Sequence, residues 1–307
     1  MRKMTCGRIS MNKNEQPLIK LKEELDQNDY ESIKHLQKIC FEKDQTTFKL
    51  EIDYKLQRAE GKVASLSKIN EFMYFDKGNL VGYIGICHFG GDAIEVNGMV
   101  HPAYRRQGIF KKLFSLIREE WGKRESQKML LLSDHKSVSG LEFIKYTRAN
   151  YEHSEYDMHL RSDAVQDLTL NNMDLRKAVN KDAKEITRQN AVYFDLEFRE
   201  EDIFFSEEEE KHGEFIYIAE LDHIIVGKVH LTIVDGIGSI YGLGILPQYR
   251  GKGYGRELLT KSVLLLKEKN ITDIVLQVAT KNKNALNLYQ SCGFEESSIM
   301  DYYELTK

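Results

Sequence analysis

The pattern of apolar and polar positions divides the chain into short strands and amphipathic helices in a recurring order. In the second half, "MDLRKAVNKDAKEITRQNAVY" reads as a strand followed by a helix opened near Asn180 or Asp182. "EFIYIAEL" and "IIVGKVHLTIV" are rich in β-formers and flank a turn at Asp222–His223, and "SIYGLGIL" is a further strand. "GRELLTKSVLLLKEKN" places Leu258, Leu259, Val263 and Leu266 at helical spacing. "DIVLQVA" predicts a strand buried on both faces, "NALNLYQSCGF" a helix and "DYYELT" a last strand. The first half follows suit with "FMYF", "LVGYIGI", "AIEVNGMV", "IFKKLFSLIREEW", "KMLLLS", "LEFIKY" and "YDMHL". Together these predict an α/β protein with a mixed sheet and helices on both faces.

The repetition extends to residues. "LVGYIGI" (Leu80–Ile86) resembles "IVGKVHL" (Ile225–Leu231), and "VHPAYRRQGIFKKLF" (Val100–Phe114) resembles "ILPQYRGKGYGRELL" (Ile245–Leu259). Gly82/Gly227, Pro102/Pro247, Tyr104/Tyr249, Arg105/Arg250, Gly108/Gly253 and Leu113/Leu258 are each separated by 145 residues. One spacing for six pairs predicts two tandem copies of one fold, each of ordinary domain size. Residues 1–15 read as a disordered leader, 16–165 as the first domain and 172–307 as the second, joined through the polar "RSDAVQDLTLNN".

Composition narrows the class. Hydrophobic residues make up 41% and charged residues 30%, as in soluble globular proteins. The net charge of −4 argues against a nucleic-acid partner. No apolar run approaches the roughly 18–20 residues that cross a bilayer, and the basic N-terminus has no apolar core behind it. A cytoplasmic protein without a membrane partner is expected. Cys6, Cys40, Cys87 and Cys292 are scattered without a C-x-x-C pair, and the nine histidines are dispersed. That fits reduced thiols and no metal.

The densest chemistry lies in "GLGILPQYRGKGYGRELL" (Gly242–Leu259), where Gly251, Gly253 and Gly255 alternate with cations. A glycine-rich loop between a strand and a helix N-terminus turns several backbone N–H groups one way, and with the helix dipole this makes an anion site. Arg250, Lys252 and Arg256 add positive charge. Neither the dinucleotide fingerprint G-x-G-x-x-G nor the P-loop G-x-x-x-x-G-K-[ST] fits the register.

"I245-L-P-Q-Y-R-G-K-G-Y-G255", followed by "N282-K-N-A-L-N-L-Y-Q-S-C-G-F294", resembles the GNAT superfamily of N-acetyltransferases: the first stretch is similar to its acetyl-CoA motif [V/I]-x-P-x-x-R-G-x-G-x-G, the second to its N-x-x-A-x-x-L-Y-x-x-x-G-F motif. With the repeat, the resemblance covers nearly the whole chain after the leader. It implies two tandem GNAT-type domains, each a mixed, mostly antiparallel sheet flanked by helices. It further implies that backbone groups of Leu243 and Ile245 meet the pantetheine arm, that the amides of Gly251, Lys252, Gly253, Tyr254, Gly255 and Arg256 hold the pyrophosphate, that Arg250 belongs to this set, that Asn282 touches the arm and that Tyr289 lies near the thioester sulfur.

The first copy departs from the pattern. Its loop "RRQGIF" keeps Arg105 and Gly108 but has Phe110 at the place of Gly255, where members of the family can carry bulky residues. Ser137 stands opposite Asn282 and Ile144 opposite Tyr289. The second copy is therefore expected to be the catalytic one.

The implied reaction moves an acetyl group from acetyl-CoA, as cosubstrate and without a metal, to a primary amine of a small acceptor. Positioning supplies much of the rate, a backbone N–H near Ile245 polarises the carbonyl, and Tyr289 is the general acid. For the base a water chain, Asp235 and the acidic segment stay open, with Glu95 at a comparable place in the first copy; Cys292 is read as a packing residue. "DLEFREEDIFFSEEEEKHGE" (Asp195–Glu214) holds ten acidic against two basic residues, which favours a cationic acceptor, with Phe194, Phe198, Phe204 and Phe205 as a cleft wall. A non-catalytic CoA-binding module and an enzyme using ATP or NAD are the alternatives. A monomer of two pseudo-symmetric domains is consistent with the repeat.

Overall fold

The computed structural model describes residues 16–59, 68–89, 92–161, 173–194, 196–200, 203, 206–211 and 213–307. The leader 1–15 and all but the first residue of the polar junction lie outside the described residues. The chain clusters into two compact units: residues up to Tyr151 together with Tyr302–Lys307, and Glu152–Asp301. All of "YDMHL" and most of its strand thus group with the second unit, and the chain's last six residues with the first. Ladder partners decide this grouping, and a periodicity in one strand does not reveal them.

In the first unit the strand order is β1 (Leu18–Lys22), β2 (Glu71–Asp76), β3 (Asn79–Cys87), β4 (Ala93–Val100) and β5 (Lys128–Asp134). The first three pairings are antiparallel and β4–β5 is parallel. Helices α1 (Gln27–Asp44), α2 (Ile52–Ala59), α3 (Ile109–Gly122) and α4 (Val138–Thr147) flank it. Sequence pattern did not single out α1, yet its signals are local: Asp26 and Asp29 form a capping box, and Tyr30, Ile33, Leu36 and Cys40 make its buried stripe. That stripe packs with Met73, Tyr83 and Met99, while Ile109, Leu113 and Ile117 of α3 pack with Val81, Ile84 and Val96. Alternate residues of β3 and β4 thus serve two cores.

The second unit has the order β6 (Asn150–Leu160), β11 (Asp273–Ala279), β10 (Ile237–Ile245), β9 (Ile224–Val234), β8 (Glu214–Leu221) and β7 (Met173–Lys177). Only β10–β11 is parallel. Its helices are α5 (Ala183–Phe194), α6 (Ser206–Lys211), α7 (Tyr254–Glu268) and α8 (Lys283–Ser291), and β12 (Phe294–Thr306) ends the chain. Asp222 and His223 both take positive φ, 46° and 65°, in the predicted hairpin turn.

Strand β11 corrects one expectation. Ile274, Leu276 and Val278 are buried, whereas Asp273 and Gln277 are exposed, so only one face is covered. Gln277 instead donates to Asp157 of neighbouring β6 at 2.7 Å.

Among the described residues no helix is long and apolar enough to cross a membrane. Cys40 and Cys87 are buried free thiols, each pushed up in pKa by burial, and Cys292 is half-buried.

Candidate active site

The site in the second unit starts where β10 leaves its neighbours. Its parallel pairing with β11 covers only Ile237–Ile240. Its antiparallel register with β9 slips between Tyr241 and Gly244, then resumes as Gly244↔Lys228 and Ile245↔Gly227. Gly242 allows the slip, since it sits at φ 55°, where a side chain would be strained. Gly244 lies under the ring of Tyr193 from α5, so close that a Cβ would stand 2.3 Å from a ring carbon. The strand therefore leaves β11 after Ile240 and β9 at Gly242–Leu243, and rejoins β9 at Gly244 and Ile245. Ile245 is buried and Leu243 packs at the edge of the same core.

Past this opening the chain makes the 3-10 turn Pro247–Tyr249, and the Arg250 Nε reaches back to the Ile245 carbonyl at 2.8 Å. Gly251 and Gly253 follow at φ 77° and 86°, and Gly253 is the N-cap of α7. A Cβ on either would meet nothing within 4 Å, so glycine is required there by conformation, and the loop's backbone stays open to a ligand. Lys252 is exposed, and Tyr254 packs half-buried on the core.

Two of the implied phosphate groups prove partly engaged. The Arg256 amide donates to Gly253 O at 3.0 Å, closing the first turn of α7. Its guanidinium donates to Ser291 O at 3.1 Å and Ser291 Oγ at 2.7 Å, a cation at the C-terminal end of α8. The amides from Gly251 to Gly255 are the rest of the implied set. Arg256 ties the loop to the second motif, and Gly255 does so too, its Cβ position lying 3.4 Å from Leu288.

On α8, Asn282 is the N-cap, its Oδ1 accepting from Ala285 N at 3.1 Å. Tyr289 is 9% exposed, with its ring 6.3 Å from that of Phe294. Burial pushes its pKa up to about 12, so it is protonated at neutral pH, as a proton donor must be.

The first unit reproduces this frame 145 residues earlier. Pro102–Tyr104 is a 3-10 turn, the Arg105 Nε donates to Val100 O at 3.1 Å, and Gly108 caps α3 at φ 83°. Arg106 takes φ 64° at the place of Gly251. Ser137 caps α4 by accepting from Gly140 N, as Asn282 caps α8. Phe110 packs edge-on against Phe143 at 4.5 Å, the positions of Gly255 and Leu288. β4–β5 pairing likewise ends early, covering Ala93–Val96. A cavity of about 740 Å³ opens there, lined among others by Asn97, Arg106, Gly108, Phe110, Asp134 and Phe143. Asn97 is 8% exposed and its Nδ2 is buried without a partner among the described residues. Unlike β10, β4 keeps unbroken register with β3, from Gly82↔Val100 to Cys87↔Glu95.

The base candidates fare differently. Asp235 is exposed in the β9–β10 turn, at the end of β10 remote from the loop and about 30 Å away along a nine-residue strand. In the acidic segment Glu207 accepts from Asn180, Glu210 pairs with Lys177, and Glu200 lies 3.4 Å from Lys184. Phe194 is exposed and Phe198 lies beneath Lys184, while Asp195, Glu201, Asp202, Phe204 and Phe205 lie outside the described residues. The structure adds a trio from "EFIYIAEL" and "IIVGKVHLTIV": half-buried Glu214 with buried Lys228 and His230. Its signal was visible, two basic residues spaced by two inside an apolar run.

The chain is 26% identical over 249 residues to the mycothiol acetyltransferase of Thermobifida fusca, covering 68% of this chain and 73% of that one. It is 30% identical over 113 residues to an N-alpha-acetyltransferase of Sulfurisphaera tokodaii, covering 33% of this chain and 68% of the relative. Among solved structures, a GCN5-related N-acetyltransferase from Sphaerobacter thermophilus superposes with a TM-score of 0.71 at 16% identity, over 94% of this chain and 95% of that one. A tandem GNAT protein from the clavulanic acid biosynthesis pathway gives 0.70 at 14% identity, over 95% and 98%. The family description "Acetyltransferase (GNAT) family" matches residues 30–139 and again 180–294, so the chain belongs to that family, with two GNAT domains in tandem.

Proposed function

We propose that the protein transfers the acetyl group of acetyl-CoA to a primary amine of a small acceptor, with the Glu152–Asp301 unit as the catalytic one. The observation that carries this reading is the slip of β10 at Gly242–Leu243, directly before the open glycine loop and in the same unit as Tyr289. Strand β4 has no such slip, and the first unit has Ile144 in place of the tyrosine.

The residues fit the cosubstrate: amides from Gly251 to Gly255 with Lys252 would hold its phosphates, and the backbone of Leu243 in the slip would meet the arm, while Ile245 is back in register with Gly227 and its carbonyl accepts from Arg250. Acetyl-CoA supplies a thioester that an amine attacks without prior activation of the enzyme. The C–N bond forms as the C–S bond breaks, the amine passes a proton to water, the departing thiolate takes one from the Tyr289 hydroxyl, and solvent returns a proton to Tyr289. A peptide N–H in the β10 slip offsets the charge that develops on the carbonyl oxygen.

A second reading concerns the first unit. Its cavity and the unpartnered Asn97 amide favour a unit that binds the same cosubstrate and does not turn it over. Thiol release measured with acetyl-CoA and a panel of amines, amino acids, aminoglycosides and peptides tests the main reading. Release that depends on one amine class supports it, and none with any of them overturns it. Calorimetric titration of the Gly253→Val chain with acetyl-CoA isolates the first unit's share: heat that persists supports the second reading, and none removes it.

A further inference from the structure

Strand β9 carries Lys228 and His230 in the middle of an apolar run, two apart and therefore on one face. Neither reaches the surface: Lys228 is 0% and His230 5% exposed. Ionisable groups so placed are costly unless each is engaged.

They are engaged in a chain of fixed direction. His230 Nδ1 is 2.7 Å from Glu214 Oε1, and His230 Nε2 is 2.8 Å from Lys228 Nζ, which also donates to Gly242 O at 3.0 Å. A carboxylate accepts only, so Nδ1 carries the imidazole proton, and Nε2 then accepts from Lys228. Burial first, and the Lys228 charge second, bring the His230 pKa down to about 4, which keeps the ring neutral as this chain requires.

The chain ends on the slip in β10. A trans peptide is planar, so Gly242 C=O and Leu243 N–H are opposite ends of one rigid plate. Whatever holds the carbonyl aims the N–H. A Cβ on Gly242 would stand 3.0 Å from His230 and 3.1 Å from Lys228, so these side chains fill the space against which the plate rests.

We propose that Lys228, itself held by His230 and Glu214, is a positioning residue that sets the Gly242–Leu243 peptide plane and so the direction in which the Leu243 N–H meets the acyl carbonyl. This rests on the acetyl-transfer reading above. The charge on Lys228 contributes, because a charged donor makes a stronger hydrogen bond and polarises the peptide it binds. Burial brings its pKa down to about 7 against the opposing pull of Glu214, so this contribution fades above neutral pH. Among the described residues, the titratable groups facing the pair include Tyr241 of β10, 5.2 Å from the His230 ring, and Tyr193 of α5, whose ring is 5.6 Å from Lys228 Nζ. Glu185 and Arg188 on α5, and Arg250 after β10, act on Tyr193.

Lys228→Met keeps the stem and removes the donor. On the full chain without ligand, the Leu243 amide resonance is expected to shift in this variant and to titrate near neutral pH in the wild type, while thermal unfolding reports the fold. In turnover with acetyl-CoA and the best amine, kcat is expected to fall on the order of 10–100-fold while the acetyl-CoA KM stays within about threefold, with the deficit shrinking at pH above about 7. His230→Gln, which leaves Lys228 in place with its support altered, should show the same split with a smaller loss. A Leu243 amide that ignores Lys228→Met overturns the proposal, as does an unchanged kcat in a variant that still folds. A wild type that transfers no acetyl group sinks the reading underneath and leaves the amide measurement to decide this one.

Discussion

The tandem architecture supplies its own control for the glycine loop. Gly253 and Gly108 cap equivalent helices at nearly the same backbone angles, φ 86°, ψ −9° and φ 83°, ψ 0°. A Cβ on either meets open space, so Gly→Ala at both sites costs conformation alone. An L-residue held in the left-handed region costs about 1–2 kcal/mol, which lowers Tm by roughly 2–8 °C for a unit of this size. That part of the effect is expected to be equal in the two variants.

Function is expected to separate them. If the alanine loop relaxes toward negative φ, the peptides on either side rotate and their N–H groups leave the phosphates. Losing two hydrogen bonds to a charged group, at about 1.5 kcal/mol or more each, corresponds to a loss on the order of 100-fold. Gly253→Ala should therefore lower kcat/KM for acetyl-CoA by that order, and Gly108→Ala should stay within about threefold of wild type. Steady-state thiol release with thermal unfolding in parallel measures both. Equal losses of kcat/KM from the matched pair would refute the assignment of catalysis to the second unit.

Tyr289→Phe should lower kcat on the order of 100-fold with acetyl-CoA binding retained by calorimetry; an unaltered kcat across pH would make Tyr289 a packing residue. Lys228 is neutral in the fold above about pH 7, while the unfolded chain keeps its proton to 10.5, so the unfolded state binds more protons in that window. Stability of wild type relative to Lys228→Met should accordingly rise with pH from about 7 to 10.5, read from denaturant midpoints; a flat difference removes the depressed pKa. Glu207 and Glu210 already hold Asn180 and Lys177, so neutralising both should leave the acceptor KM unchanged at any salt concentration, and a salt-dependent rise would restore them as an attractive surface.

Sequence showed what is written in local backbone chemistry. The strands Glu214–Leu221, Ile224–Val234, Ala93–Val100 and Asp273–Ala279 fall where the β-rich runs end, because turn residues punctuate them. The loop's left-handed glycines and the Asn282 cap follow from residue type at fixed offsets. What escaped were effects of partners distant along the chain. The grouping of Tyr302–Lys307 with the first unit depends on ladder neighbours, and the exposed face of β11 depends on what covers it. The Glu214–His230–Lys228 chain joins two strands across a hairpin, so no single window of sequence contains it.

On the acetyl-transfer reading, the two copies share what a backbone anion site needs and differ in what the thioester needs, which yields a last expectation. Arg105 and Arg250 clamp the same carbonyl, Gly108 and Gly253 cap the same turn, and Ser137 and Asn282 open the same helix. Against that constant frame, the first unit has Ile144 for Tyr289, an unbroken β4 ladder for the β10 slip, and the buried Tyr83 hydroxyl, donating to Glu71 at 2.5 Å, for Lys228. If the proton donor alone were missing, Ile144→Tyr placed in a Tyr289→Phe background would move activity into the first unit. The structure argues otherwise. Ile144 is buried in a cluster with Phe110 and Phe143, where a larger ring costs about 1–3 kcal/mol, and β4 has no displaced peptide to meet the carbonyl oxygen. The double variant is therefore expected to stay as slow as Tyr289→Phe while still folding, because a tyrosine acts on the leaving sulfur only where the carbonyl is already polarised. Recovered turnover in that chain would show that the strand slip is dispensable and that the tyrosine was the whole difference between the copies.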